Sequence, residues 1–430
     1  MRIYSFPHGG LSYEDPTAPM KKSVVNAYLP SLSVIPIGKH ILPTISIGDM
    51  VKEGMLIARA TEAGTVNVHA TVPGRVIKKA SWKNRDGFEN DALVIRMEGS
   101  FEKLGKREET FPWVGLNCFD LQRIISDFGI VEMENSGRPL AEMISAGRKE
   151  SDRITLVISC VFDDPWHIAD YALCQQRLKA VAEGAAIVAK ASSRVAQIIF
   201  AVSHREREIG EMLVKETGSP EYPVSLVLTG SRYPQRNKRE LELALRAYEK
   251  KEALNLGSFL ILGPAVLAAV YDAVKYKKPI LERYVAVGGS AVRHPQVMKA
   301  RIGTRIGELI EQCGGFTGKP ERIVLGSPLS GMEVSYLDEP VGKTCYAIVA
   351  MAKSQAQIYR RQNCINCGEC RTVCPVGLDP QSIYKRIRIL GIENAEDTGC
   401  HGCGCCKIVC PSSLPLTEVI YEKNPEVCGA

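Results

Sequence analysis

Two stretches in the last quarter of the chain carry the residues most capable of chemistry. Cys364-Ile-Asn-Cys367-Gly-Glu-Cys370-Arg-Thr-Val-Cys374-Pro375 is followed, after twenty-four residues, by Cys400-His-Gly-Cys403-Gly-Cys405-Cys406-Lys-Ile-Val-Cys410-Pro411. Both fit C-x2-C-x2-C-x3-C-P, the spacing of a paired [4Fe–4S] arrangement of the ferredoxin type. Three thiolates set three residues apart on a curling loop reach three irons of one cubane. The fourth, at the start of the following helix, points to the other cubane, and the proline after it ends the loop and removes a donor. Gly368, Gly402 and Gly404 let the backbone come close enough for N–H groups to reach sulfur. Exchange of the fourth ligand assigns Cys364, Cys367, Cys370 and Cys410 to one cluster. It assigns Cys400, Cys403, Cys406 and Cys374 to the other. In the adjacent pair Cys406 keeps the three-residue step. Cys405 is left as a neighbouring thiol, packed beside the cluster or available as an alternative ligand. Zinc is the competing occupant, but two matching four-cysteine runs with trailing prolines argue for iron–sulfur chemistry. Two clusters with crossed ligation suit one-electron relay better than a structural role.

Cysteine placement supports the same reading. Of fifteen cysteines, nine fall between 364 and 410. Clustering in a long chain with no signal-peptide pattern at its start indicates metal ligation in a reducing compartment rather than a disulfide scaffold. Cys118, Cys160, Cys174, Cys313 and Cys345 have no ligand spacing and read as buried small residues. His40 and His69, far apart in sequence, read as surface or core histidines. No G-x-S-x-G elbow or Walker A loop occurs. The net charge of +6 over 430 residues is mild, and no basic run is interleaved with aromatics, which excludes nucleic acid as a partner. The most apolar stretch, Leu256 to Val274, is broken by Gly263-Pro264 and reaches Asp272. It reads as a strand and a buried helix, not a membrane span.

The elements that must position the cysteines suggest an α/β multidomain chain. Residues 1–110 read as a barrel-sandwich or lipoyl-like domain: G-D-x-V-x-x-G at Gly48 to Gly54 precedes V-x-G-x-V near Val72, among short strands and tight turns. A lipoyl carrier needs a lysine at its exposed tip. Here the tip is Glu62-Ala63-Gly64-Thr65, so the module is read as structural. Residues 115–280 alternate apolar strands (RITLVISCVF, AQIIFAVS, PVSLVLTG, GSFLILG) with helical stretches, the pattern of a mostly parallel sheet. Residues 281–340 read as two strands around a short helix, a β-grasp module of the SLBB type. Residues 355–430, after a helical linker MAKSQAQ, read as a helical ferredoxin-like domain with two [4Fe–4S] clusters and a basic helix in QSIYKRIRILGI.

This order of modules resembles the C subunit of Rnf-type ion-translocating electron-transport complexes over nearly the whole chain. The resemblance is carried by HILPTISIGDMVKEGMLIA, VHATVPGRV, Tyr233-Pro234-Gln235 with Lys238, RIGTRIGELIEQCGG, LGSPLSG and the two cysteine motifs. The A subunit of the sodium-pumping quinone reductase shares part of the architecture but lacks the double cluster motif. The resemblance implies a peripheral electron-transfer subunit on the cytoplasmic face of the inner membrane. Its implied partners are integral membrane subunits and other redox subunits, with ferredoxin or NADH as redox partner. The alternative is a soluble iron–sulfur reductase of the cobalamin-reducing type. The resemblance also implies that the α/β domain looks like the flavoprotein subunit of respiratory complex I, which holds FMN and NADH near a G-x-G-G-A-G-F-P loop. The corresponding stretch, Ile130 to Ile144, contains only Gly137, and Glu132 and Glu134 would repel a phosphate. An acidic N-G-A-E-x-E-P element appears as Ser159-Cys160-Val161-Phe162-Asp163-Asp164-Pro165. Asp163, Asp164 and Lys238 are therefore the candidate flavin or nucleotide residues in a cradle that has lost its glycines. A plain alternative for the two aspartates is to cap the helix starting near Trp166.

Overall fold

Runs of β-branched and aliphatic residues that are buried on both faces favour parallel strands covered by helices. The computed structural model places four such runs side by side. It describes the chain except for residues 1, 21–22, 39, 84–88, 102–109, 135, 146–152, 219–220, 354–361, 389–398 and 422–430. The strands Ile154–Cys160, Val195–Ser203, Val224–Thr229 and Ser258–Leu262 form one sheet. Ile154–Cys160 lies between Val195–Ser203 and Ser258–Leu262, with Leu156 level with Ile198 on one side and Leu260 on the other. All pairings in this sheet are parallel, including that of Ile3–Tyr4 at the edge beside Val224–Thr229.

Side chains alternate between two cores. Leu156, Ile158 and Ile198 face the helices Leu178–Ala191 and Pro264–Tyr276. Val157, Ile199 and Val227 face the helix Lys238–Lys251 through Leu241, Ala244 and Leu245. Leu256–Val274 thus divides, as its sequence predicts, into a strand and a helix with proline at its first turn. Among the described residues no helix is long and apolar enough to cross a membrane.

The remaining units differ in detail from the pattern expected. Within 281–340 a further strand, Gln296–Arg301, pairs antiparallel with Glu282–Gly288, so the module is more than two strands around a helix. The sheet also takes in Ala347–Met351 and the two-residue strand Val25–Asn26. Met351 is therefore the end of a strand and not the start of a helical linker; the rest of that linker, from 354, lies outside the described residues. At the front, two small sheets run in the order Leu32–Ile37, Glu89–Met97, Gly74–Lys83, Met50–Val51 and Ile41–Pro43, Leu56–Ala60, Val68–His69. They enclose a core of Ile35, Ile57, Val72, Val76 and Ile95. The lysine-free tip is docked: Gly64 N donates to Glu142 Oε1 at 2.7 Å. The C-terminal region consists of short helices, Glu369–Thr372, Pro380–Arg388, Cys405–Ile408 and Leu416–Tyr421.

Candidate metal centres

The two cysteine runs adopt the same local backbone. In each, the residue before the second cysteine and the residue after it have positive φ: Asn366 at 59° and Gly368 at 79° in the first run, Gly402 at 71° and Gly404 at 80° in the second. Each left-handed residue reverses the chain, and a one-turn helix then starts directly behind Gly368 and Gly404. The two one-turn helices touch each other. Glycine is required at 404 for a second reason, because a Cβ there would lie 2.4 Å from the Leu329 carbonyl oxygen.

One pocket is lined by Cys364, Cys367, Cys370 and Cys410, with Gln381, Tyr384 and Leu414 closing it. A second is lined by Cys374, Cys400, Cys403 and Cys406, and also by Cys405. Their empty spaces are about 370 Å3 and 360 Å3, counting the part open to solvent.

The donor set fits a cubane. Leu378 N donates to Cys374 Sγ at 3.3 Å. Backbone hydrogen bonds from Gln381, Gly402 and Cys405 reach Cys370, Cys400 and Cys403. N–H groups aimed at sulfur stabilise thiolate and tune a cluster's potential. Burial works in the opposite direction: it pushes the Cys406 thiol up to about 12, against a hydrogen bond from Thr417. Iron bound there would favour the thiolate form against burial.

The two pockets differ in depth. Cys367 is exposed and Cys364 and Cys410 are half-buried, whereas Cys374, Cys403 and Cys406 are buried. Cys405 is fully buried and packs with Tyr233, Cys403 and Leu329, while Cys406 packs with Leu414 and Leu416.

Two distant segments hold the second run in place, and the N-terminus holds the end of the first. Tyr233 Oη donates to the Cys403 carbonyl at 2.6 Å. His401 Nε2 is 2.9 Å from Glu240 Oε1, and its Nδ1 is 3.2 Å from Asn237 Nδ2. The Leu329 loop abuts Gly404, and at the N-terminus Gly10 N donates to Val373 O at 2.8 Å. A Cβ on Gly9 would meet the Cys374 carbonyl at 2.5 Å. Sequence reasoning missed Gly9, Gly10 and Leu329. The His8-Gly9-Gly10 run was the one available signal, because paired glycines outside a turn between strands mark close backbone approach.

The three candidate flavin or nucleotide residues differ in exposure. Asp163 and Asp164 are buried, while Lys238 is exposed at the first turn of its helix. Asp164 caps the turn at Pro165–His167, accepting from Trp166 N at 3.0 Å. Asp163 Oδ2 accepts from Arg236 N at 3.0 Å. Burial pushes Asp163 up to about 7 and Asp164 up to about 6.

Comparison with known proteins assigns these units a class. The family model described as RnfC Barrel sandwich hybrid domain matches residues 5–100, and the one described as SLBB domain matches 284–335. The chain is 29% identical over 380 residues to the C subunit of the ion-translocating oxidoreductase complex of Rhodobacter capsulatus, covering 86% of this chain and 72% of that protein. It is 26% identical to the C subunit of the proton-translocating ferredoxin:NAD(+) oxidoreductase complex of Clostridium ljungdahlii, covering 84% and 80%. It is also 26% identical to the C subunit of the Na(+)-translocating ferredoxin:NAD(+) oxidoreductase complex of Acetobacterium woodii, covering 82% and 81%. Among solved structures it is similar to an NAD+-reducing [NiFe]-hydrogenase in the H2-reduced state, with TM-score 0.49, 12% identity and coverage of 74% and 61%. Residues 5–100 thus match a barrel-sandwich domain and residues 284–335 an SLBB domain. Over most of its length the chain is similar to C subunits of ion-translocating oxidoreductase complexes.

Proposed function

We propose that this chain is a peripheral electron-transfer subunit of an Rnf-like, ion-translocating oxidoreductase complex. In this reading Cys364, Cys367, Cys370 and Cys410 hold one [4Fe–4S] cluster, and Cys400, Cys403, Cys406 and Cys374 hold the other, in a ferredoxin-like region. The observation that carries it is the division of the thiols between two pockets: three cysteines of the first run meet Cys410 in one, and Cys400, Cys403 and Cys406 meet Cys374 in the other, with Cys405 also at its wall. Bound clusters supply one-electron transfer. The protein's residues bury Cys374, Cys403 and Cys406, direct N–H groups at the sulfurs and fix the second run through Tyr233, Asn237 and Glu240. The shallow pocket faces solvent at Cys367 and Ile365, and so forms the side at which a redox partner exchanges electrons. The chain is placed on the cytoplasmic face of the cell membrane, beside integral subunits that move the ion. The names of its relatives favour this reading over a soluble cobalamin-type reductase.

Anaerobically purified protein is expected to contain about eight irons and eight acid-labile sulfides per chain, as two cubanes require. Stoichiometric zinc in their place refutes the proposal. Capture of the chain from solubilised membranes together with integral subunits supports the assembly; association with a corrinoid protein refutes it.

A further inference from the structure

A phosphate cradle works by leaving backbone N–H groups free to face an anion at a helix N-terminus. In this chain the stretch corresponding to the flavoprotein glycine loop has already used them. Glu132 Oε1 accepts from Glu134 N at 2.6 Å, and Glu132 Oε2 accepts from Ser136 N at 2.6 Å and Ser136 Oγ at 2.9 Å. A carboxylate of the loop itself occupies the donors that would bind a phosphate. Glu132 N is tied across the loop to Arg138 O at 2.8 Å.

The adjoining space is filled as well. Glu134 lies across the start of the helix Pro264–Tyr276, so close to Gly263 that a Cβ there would be 1.5 Å from Glu134 Oε1. Arg236 then plugs the interior. Its Nη2 donates to Glu134 Oε1 at 2.6 Å and to Asp170 Oδ2 at 2.9 Å, and its Nη1 donates to Val161 O at 2.9 Å. Arg283 Nη2 donates to Met133 O at 3.0 Å and lies 3.6 Å, through Nη1, from Asp170 Oδ1. Both guanidinium groups are thus engaged by Glu134, Asp170 and backbone carbonyls, and the carboxylates that hold them repel phosphate.

The segment that brings in Arg236 also reaches the second cysteine run. Tyr233 and Asn237, three residues before Arg236 and one after it, are the residues that hold Cys403 and His401.

We propose that the α/β unit of this chain takes neither FMN nor NADH, because Glu132, Glu134 and Arg236 occupy the cleft, and that the unit serves as the mount of the second cysteine run. A hydride carries two electrons, and a cubane accepts one. Without a flavin to split the pair, NADH has no route into the clusters. Each electron therefore arrives singly from a one-electron donor, which loses one electron as one cluster gains one. The inference rests on the cluster reading only for its consequence: low iron content refutes that reading, and bound flavin refutes this one.

The test uses the anaerobically purified full chain with its clusters, alone and within its complex after removal of any subunit that binds flavin itself. Acid extraction is expected to release no FMN from this chain, and fluorescence titration to show no saturable NADH binding. Dithionite is expected to bleach the clusters and NADH to leave them oxidised. Stoichiometric FMN, saturable NADH binding or bleaching by NADH overturns the proposal. For the mount, Tyr233→Phe removes a single hydroxyl. It is expected to shift the electron paramagnetic resonance spectrum and midpoint potential of one cluster only, with iron content retained. An unchanged spectrum and potential overturns the mounting role.

Discussion

Replacing Arg236 by methionine tests the buried ion cluster most sharply. Methionine roughly keeps the length and removes the charge. The substitution deletes two hydrogen bonds to Glu134, one to Asp170 and one to the Val161 carbonyl. Removing one partner of a buried ion pair costs about 3–5 kcal/mol, because the other charge stays buried. Two stranded carboxylates push the loss to the upper end of that range at pH 7.5. Acid should relieve it. Burial holds Glu134 up at about 7, against the attraction of Arg236, and Asp163 at about 7. A carboxyl raised in the folded state stabilises the fold below its unfolded value, and that contribution is lost as pH rises through the folded one. The penalty of Arg236→Met should therefore shrink between pH 7.5 and pH 5.5. The assay is amide hydrogen exchange in the strand Ile154–Cys160, which reports the opening free energy of this unit without requiring reversible unfolding of the whole chain. A loss below about 1 kcal/mol, the size of an ordinary hydrogen bond, or a larger loss at pH 5.5 than at 7.5, refutes the reasoning. The triple change Arg236→Met, Glu134→Gln and Asp170→Asn should recover much of the stability, since removing all the charges together leaves none unpaired.

Cys406→Ser should remove one cluster, halving iron and sulfide, while Cys405→Ser should leave both; metal analysis of the two variants decides between the adjacent thiols. Gly404→Ala forces a φ of +80° on a residue with a Cβ and drives it into the Leu329 carbonyl. It should cost more than the ~1 kcal/mol of a simple left-handed penalty and selectively deplete the deeper cluster, read by iron content and thermal release of iron. Glu282 is opposed by burial, yet Lys278 and Lys299 hold it down at about 2. Its stabilising contribution should be present above its unfolded value and fade as pH falls below about 4.5. Hydrogen exchange in Glu282–Gly288 should show this, and a Glu282→Gln variant should lack it.

The central strands were legible because each is a continuous aliphatic run between helical stretches, and two-sided burial leaves no polar face to confuse the pattern. Gln296–Arg301 was not. Its Lys299 and Arg301 are polar residues made compatible with a strand by Glu282, at 2.8 Å, and by Glu53 of the front domain, at 2.6 Å. Such long-range partners leave no local signal. Ile3–Tyr4 and Val25–Asn26 are two residues each, too short for any period. The ferredoxin-type exchange of fourth ligands groups Cys410 with the first run and Cys374 with the second, and those sets line common pockets, the second with Cys405 as well. The acidic character of Glu132 and Glu134 was readable as hostile to phosphate. What fills the cleft was not, because Arg236 lies 102 residues from Glu134 and 66 from Asp170. Tyr233 was quotable as part of a motif, but only the fold reveals that its hydroxyl meets the Cys403 carbonyl.

In the proposed arrangement eight cysteines hold two clusters with the fourth ligands exchanged. Four single serine variants, at Cys367, Cys410, Cys403 and Cys374, compared by redox-poised electron paramagnetic resonance on the anaerobic protein, test it most directly. Crossed ligation predicts that Cys410→Ser perturbs the same cluster signal as Cys367→Ser, and that Cys374→Ser perturbs the same signal as Cys403→Ser. If Cys410→Ser instead perturbs the signal that Cys403→Ser perturbs, each run holds its own cluster and the account is contradicted.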